Sequence, residues 1–64
     1  MNFVQVAIPS PLRQTFTYKN QFSSDLIGKR VLVEFGRRKL VGIVISQSKN
    51  FDDSYKLKQI YEVL

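Results

Sequence analysis

Apolar and polar positions alternate with a period of two through most of this chain, which is the spacing of strands packed on one side. Over residues 3–8, Val4, Val6 and Ile8 fall on one face and Phe3, Gln5 and Ala7 on the other. Pro9 and Pro11 then fix φ twice and withdraw two backbone donors, which ends the ladder and bends the chain. Thr15-Phe16-Thr17-Tyr18 predicts a second short strand, with both rings on one face and both threonines on the other. Residues 19–25 are polar and read as a loop, with Phe22 folding back onto the core.

Beyond Gly28, Val31, Val33 and Phe35 alternate with Arg30, Leu32 and Glu34, the clearest half-buried strand in the chain. Gly36-Arg37-Arg38-Lys39 reads as a turn, and residues 40–46 as a strand apolar on both faces, so a hairpin around Gly36 is predicted. Gly42 inside that strand marks a bulge or a close backbone approach. Residues 49–54 are turn-rich. The final run is ambiguous: Leu57, Ile60, Tyr61 and Leu64 match helical spacing, while residues 60–64 also fit a buried strand. Strand is the better reading, because β-branched and aromatic residues are dense there and no N-cap opens an acidic first turn. The fold class expected is all-β: a small barrel-like, OB-like domain of five to six short strands, whose closure removes edges that would otherwise aggregate.

The length of 64 residues restricts the chain to one small domain. Only about 60% of the unfolded surface can be buried at this size, so nearly every apolar position has to contribute to a marginal stability. Zero cysteine excludes disulfides, thiolate metal sites and thiol nucleophiles, and zero histidine removes the usual general base. Phosphate-binding loops and catalytic triads are missing too, so the chain itself is not expected to be an enzyme. Asp52-Asp53 reads as a solvated turn rather than a metal pair. There is no basic leader, and the longest apolar run, 40–45, is far short of the ~20 residues that span a bilayer, so a soluble cytoplasmic protein is the default. The final apolar run, without a polar tail, suggests that Leu64 is not the natural end.

Charge changes the picture most. Ten Lys and Arg against five Asp and Glu leave a net charge of +5, a field that favours polyanions, nucleic acid before lipid. A barrel that carries single-stranded nucleic acid needs cations for phosphates and flat rings for bases. Gly36-Arg37-Arg38-Lys39, Phe16 and Tyr18 supply those groups, and Lys58 beside the last apolar run is a further candidate. The bland alternative is a solvated turn, two core rings and a solubilising lysine.

Five blocks stand in order along the chain: Val4-Gln5-Val6-Ala7-Ile8-Pro9-Ser10-Pro11-Leu12, Thr15-Phe16-Thr17-Tyr18, Gly28-Lys29-Arg30-Val31-Leu32-Val33-Glu34-Phe35-Gly36-Arg37-Arg38, Gly42-Ile43-Val44 and Leu57-Lys58-Gln59-Ile60-Tyr61-Glu62-Val63-Leu64. Together they resemble the N-terminal 3′-end DNA-binding domain of PriA, the primosomal protein N′ replication-restart helicase. The resemblance implies that residues 1–64 form a single DNA-binding domain, the N-terminal fragment of a larger bacterial helicase. Such a domain recognises the 3′ end of the nascent leading strand at stalled or repaired forks. It implies no cofactor in this fragment, with zinc, ATP and Mg belonging to the remainder of the parent, an ATP-dependent helicase. Partners implied are DNA, especially forks and single-stranded 3′ ends, the remaining helicase lobes, and other primosome and single-strand-binding proteins, with no membrane.

In that family an aromatic-acidic-aromatic tripeptide, a glycine in a turn and a lysine on the last strand form the pocket for the terminal nucleotide. Carried over, these are Phe16, Thr17, Tyr18, Gly36 and Lys58, with Arg37 and Arg38 as flanking cations. Two departures matter. Thr17 stands where Asp is usual, which weakens hydrogen bonding to a 3′-hydroxyl. Glu34 stands where proline is common, which is expected to change turn stiffness more than chemistry. The competing reading is a basic protein-docking module that packs on the helicase core or an acidic partner.

Overall fold

The computed structural model describes residues 2–9, 15–22, 24–49 and 57–64. Five strands appear in it: β1 (Asn2–Ala7), β2 (Thr15–Asn20), β3 (Arg30–Phe35), β4 (Arg38–Ser48) and β5 (Glu62–Val63). They form one sheet in the order β2-β1-β4-β3-β5, with every neighbouring pair of strands antiparallel. This is the all-β, OB-like barrel-type domain expected, and the final run is extended rather than helical.

Alternation along each strand selects the core. Val4 and Val6 of β1 and Val31 and Val33 of β3 are fully buried, and Ile8, Leu26, Val44 and Ile60 join them. Phe16, Phe35, Leu40 and Val63 pack against this cluster while staying half-exposed. On β4 the two apolar faces have different fates: Val44 is buried, whereas Val41, Ile43 and Ile45 point outward and are exposed.

Three local expectations need correction. Lys19 and Asn20 belong to β2 rather than to a loop. The reason is tertiary, because the Asn20 amide donates to Ser24 O and Gln47 Oε1, both at 3.1 Å, and its Oδ1 accepts from the Phe22 N–H at 2.9 Å. A polar side chain that completes its hydrogen bonds in this way can be buried at a strand end. Phe22 does not fold back onto the core but remains 38% exposed, and Leu26 takes the buried place. The hairpin turn is shorter than predicted: Phe35 pairs with Arg38, so Gly36 and Arg37 alone make the turn and Arg38 and Lys39 lie in β4. Gly36 has a φ of +65°, the left-handed value that two-residue hairpins require and glycine adopts freely. Gly42 marks the close approach, whereas the bulge falls at Ile45, the extra β4 residue between the Val6↔Val44 and Gln5↔Ser46 pairs.

The C-terminal segment closes the sheet. Lys19 N–H donates to Lys58 O at 2.9 Å and Ile60 N–H to Lys19 O at 3.1 Å, a parallel bridge onto the β2 edge. Immediately afterwards Tyr61 N–H donates to Leu32 O at 2.8 Å and Leu64 N–H to Arg30 O at 3.0 Å, on the β3 edge. One short stretch therefore bonds to both edges, to β2 at Lys19 alone, and in doing so holds Lys58 between β2 and β3. Of the turns predicted at 9–11 and 49–54, residues 10–11 and 50–54, Asp52-Asp53 included, lie outside the described residues.

Candidate nucleic-acid interface

Where β2, the β3–β4 hairpin and the C-terminal segment meet, they enclose an open cleft of about 420 Å³. That volume falls within the ~300–1,000 Å³ common for small-ligand sites. It is lined by Phe16, Thr17 and Tyr18 of β2, by Glu34, Phe35 and Gly36 of the hairpin, and by Lys58, with Thr15 and Leu57 completing the lining. Five of the seven residues singled out in the sequence thus converge. Arg37 and Arg38 do not line this cleft. They are exposed and flank a smaller hollow of about 300 Å³ shared with Glu34, Gly36 and Lys39.

Each part of the lining has a physical cause. The Phe16 and Phe35 rings meet edge-to-face, with centroids 4.7 Å apart and planes at 72°, a contact worth roughly 0.5–1.5 kcal/mol that keeps Phe16 from swinging away. Tyr18 is buried, and its hydroxyl donates to Glu34 O at 2.7 Å, tying β2 to β3 beneath the cleft. Its ring is therefore structural support more than an open stacking face. Thr17 lies opposite Gln5, whose Nε2 donates to the Thr17 hydroxyl oxygen at 2.6 Å, and Thr15 in turn donates to Gln5 Oε1 at 3.0 Å. The Thr17 oxygen is already an acceptor, so its proton remains for donation to a ligand.

Lys58 Nζ and Glu34 Oε2 are 3.2 Å apart, with both side chains about half-exposed (54% and 49%). An ion pair so open to water contributes only about 0.2–1 kcal/mol and exchanges readily for a better anion. Lys39 Nζ lies 4.1 Å from the centre of the Tyr61 ring, which holds that cation beside β5 rather than over the cleft. Among the described residues no cluster of three acids or other metal-ligating side chains converges, and no helix is long and apolar enough to cross a membrane.

Burial pushes the Tyr18 hydroxyl above its ordinary value near 10.0, and the negative charge of Glu34 adds to the rise. The folded state thus favours neutral tyrosine, so this stabilisation is complete below pH 10.0 and disappears as pH climbs through the raised value. Tyr18→Phe should cost about 0.5–1.5 kcal/mol at neutral pH, through the lost hydrogen bond. Urea unfolding at increasing pH should show that deficit shrinking above pH 10.0, and a deficit constant with pH would contradict the assignment.

Sequence reasoning missed Phe35 as a cleft residue and treated Glu34 as a matter of turn stiffness. The alternation of Val31, Val33 and Phe35 was the available signal for Phe35, whereas no local signal marks Glu34, whose partner Lys58 is distant in the sequence.

The family model of the PriA 3′DNA-binding domain (3′BD) matches residues 5–64 of this chain. Among curated proteins, the replication restart protein PriA of Buchnera aphidicola subsp. Acyrthosiphon pisum (strain APS) is 42% identical over 62 residues. That match covers 94% of this chain and 8% of the relative, so the chain spans under a tenth of the length of the curated protein it matches.

Proposed function

Because this chain belongs to the PriA 3′DNA-binding domain family, we propose that it is the module by which a replication-restart helicase grips DNA, with the cleft taking the 3′-terminal nucleotide of a strand. The convergence of Phe16, Thr17, Gly36 and Lys58 from separate elements around one opening supports this reading. Phe16 offers a ring for the base, and Gly36 leaves the backbone open to close approach. Lys58 neutralises the last phosphate, while Arg37 and Arg38 sit where phosphates further along the strand would pass. Tyr18 stiffens the floor. The parent would be an ATP-dependent helicase of the bacterial cytoplasm acting at forks, with zinc, ATP and Mg bound outside this chain. The remaining helicase lobes, other primosome components and single-strand-binding proteins would be its further partners.

Fluorescence anisotropy with matched oligonucleotides ending in a 3′-hydroxyl or a 3′-phosphate tests the proposal. The hydroxyl strand should bind more tightly, and log K should fall against log salt with a slope of about −2 if Lys58, Arg37 and Arg38 each neutralise a phosphate. Equal affinities would remove end recognition while leaving DNA binding, and a flat salt response would remove the cationic contact. The exposed Val41, Ile43 and Ile45 stripe on β4 favours a second role, packing against a protein surface such as the helicase core. A module built for that role alone would bind DNA only weakly and in proportion to strand length.

A further inference from the structure

Among the described residues lining the cleft, Glu34 is the one carboxylate and Lys58 the one ammonium, and the two are paired at 3.2 Å. Both residues also line an adjoining hollow with Gln21, Gln59 and Ile60, so the pair stands on the boundary between the two openings. Glu34 further borders the hollow flanked by Arg37 and Arg38. It is therefore common to the cleft and to both of these adjoining hollows. Its charge reaches the cleft floor as well, since it helps to raise the Tyr18 hydroxyl.

The hydrogen-bonding inventory of the cleft is lopsided. Thr17 has one lone pair engaged by Gln5 and its proton to give, Lys58 only donates, and Tyr18 spends its proton on Glu34 O, so apart from weakly accepting neutral hydroxyls the Glu34 carboxylate is the one charged side-chain acceptor among the described residues lining the cleft. A terminal sugar hydroxyl both accepts and donates, so it can accept from Thr17 but still needs somewhere to place its own proton. The Glu34 carboxylate supplies that acceptor once Lys58 leaves it for a phosphate. Resting on the proposed binding of a 3′ terminus in this cleft, we infer that Glu34 is the specificity-determining residue, an exchangeable partner of Lys58 that accepts the 3′-hydroxyl proton and turns away a 3′-phosphate.

Exchange needs no rearrangement of the backbone. The incoming phosphate replaces one anion on Lys58 with another, and the released carboxylate gains a neutral donor in place of a cation. A 3′-phosphate in the same position would bring further negative charge against Glu34 without a proton to offer, and that difference is the selectivity.

The test compares the 64-residue wild-type chain with Glu34→Gln, using oligonucleotides that end in a 3′-hydroxyl or a 3′-phosphate, with circular dichroism to check folding. Glutamine keeps the shape and removes the charge. Wild type should prefer the hydroxyl strand about tenfold, the ratio expected between a charged and a neutral acceptor. In Glu34→Gln the hydroxyl strand should bind more weakly and the phosphate strand more tightly, bringing the ratio close to one. Opposite movements on the two ligands are not produced by a merely structural defect, which weakens both. A variant that keeps the full wild-type ratio, or a wild type with no preference, overturns the role of Glu34 while DNA binding stands. Absence of DNA binding by the wild type overturns the proposed function and this inference with it.

Discussion

Replacing Gly42 with alanine should lower the melting temperature of this domain by roughly 12–24 °C, since about 3 kcal/mol is lost and each kcal/mol moves a domain of this size by ~4–8 °C. Gly42 sits on β4 opposite Val31 of β3, where the β1 backbone also passes close by. A Cβ built there would stand 2.5 Å from Val6 Cγ1 and 2.8 Å from the Ala7 carbonyl oxygen. The valine methyl can rotate only within a filled core, and the carbonyl cannot move without disturbing the β1–β4 ladder. Overpacking of this kind costs ~1–3 kcal/mol and reaches its upper end when backbone has to give. A chain of this size is stabilised by roughly 3–10 kcal/mol in all, so the loss is a large fraction. Gly36→Ala is the control. A Cβ there meets nothing within 4 Å, and only the φ of +65° is unfavourable, at ~1–2 kcal/mol. Thermal melts of both variants decide the matter, and a Gly42→Ala loss no larger than that of Gly36→Ala would show that the close approach relaxes easily.

Lys58→Ala should weaken single-strand DNA binding by about 10–150-fold, the equivalent of one charge-assisted contact worth ~1.5–3 kcal/mol. Part of the effect comes from the partner left behind, because without Lys58 the Glu34 carboxylate stands unneutralised in the cleft and repels phosphate. Lys58→Ala combined with Glu34→Gln should therefore bind a strand ending in a 3′-phosphate better than Lys58→Ala alone, which a simple loss of a cation does not predict. Lys49→Ala, an exposed lysine just after β4, should cost less than about threefold, since it contributes only to the general field. Comparable losses for Lys49 and Lys58, measured by anisotropy at one salt concentration, would mean a diffuse basic surface with no dedicated cleft.

The fold was legible to the extent that its signals are local. Period-two alternation placed Val4, Val6, Val31 and Val33 in the core, and glycine at 36 located the hairpin. Signals failed where a distant partner decided the outcome. Asn20 and Lys19 look like loop residues, yet Gln47 and the segment from Lys58 to Ile60 draw them into β2. Phe22 looks more apolar than its surroundings, but Leu26 reaches the core and Phe22 does not. In the cleft, the residue types of Phe16, Thr17, Tyr18, Gly36 and Lys58 were readable from motif, while the different exposure of the two rings was not. The pairing of Glu34 with Lys58 was not readable, because the lysine stands at the other end of the chain.

Composition and periodicity by themselves determined that this is a basic, histidine-free and cysteine-free β domain with one packed face per strand, since the pleat of an extended backbone sends successive side chains to opposite faces. Tertiary structure decided which strand edges meet, and so that one C-terminal segment bonds both β2 and β3 and brings Lys58 to Glu34. The reason is that unpaired backbone donors and acceptors at a sheet edge carry no address in the sequence. They are satisfied by whichever segment the closing barrel brings within hydrogen-bond reach, and the geometry of the cleft is a consequence of that choice.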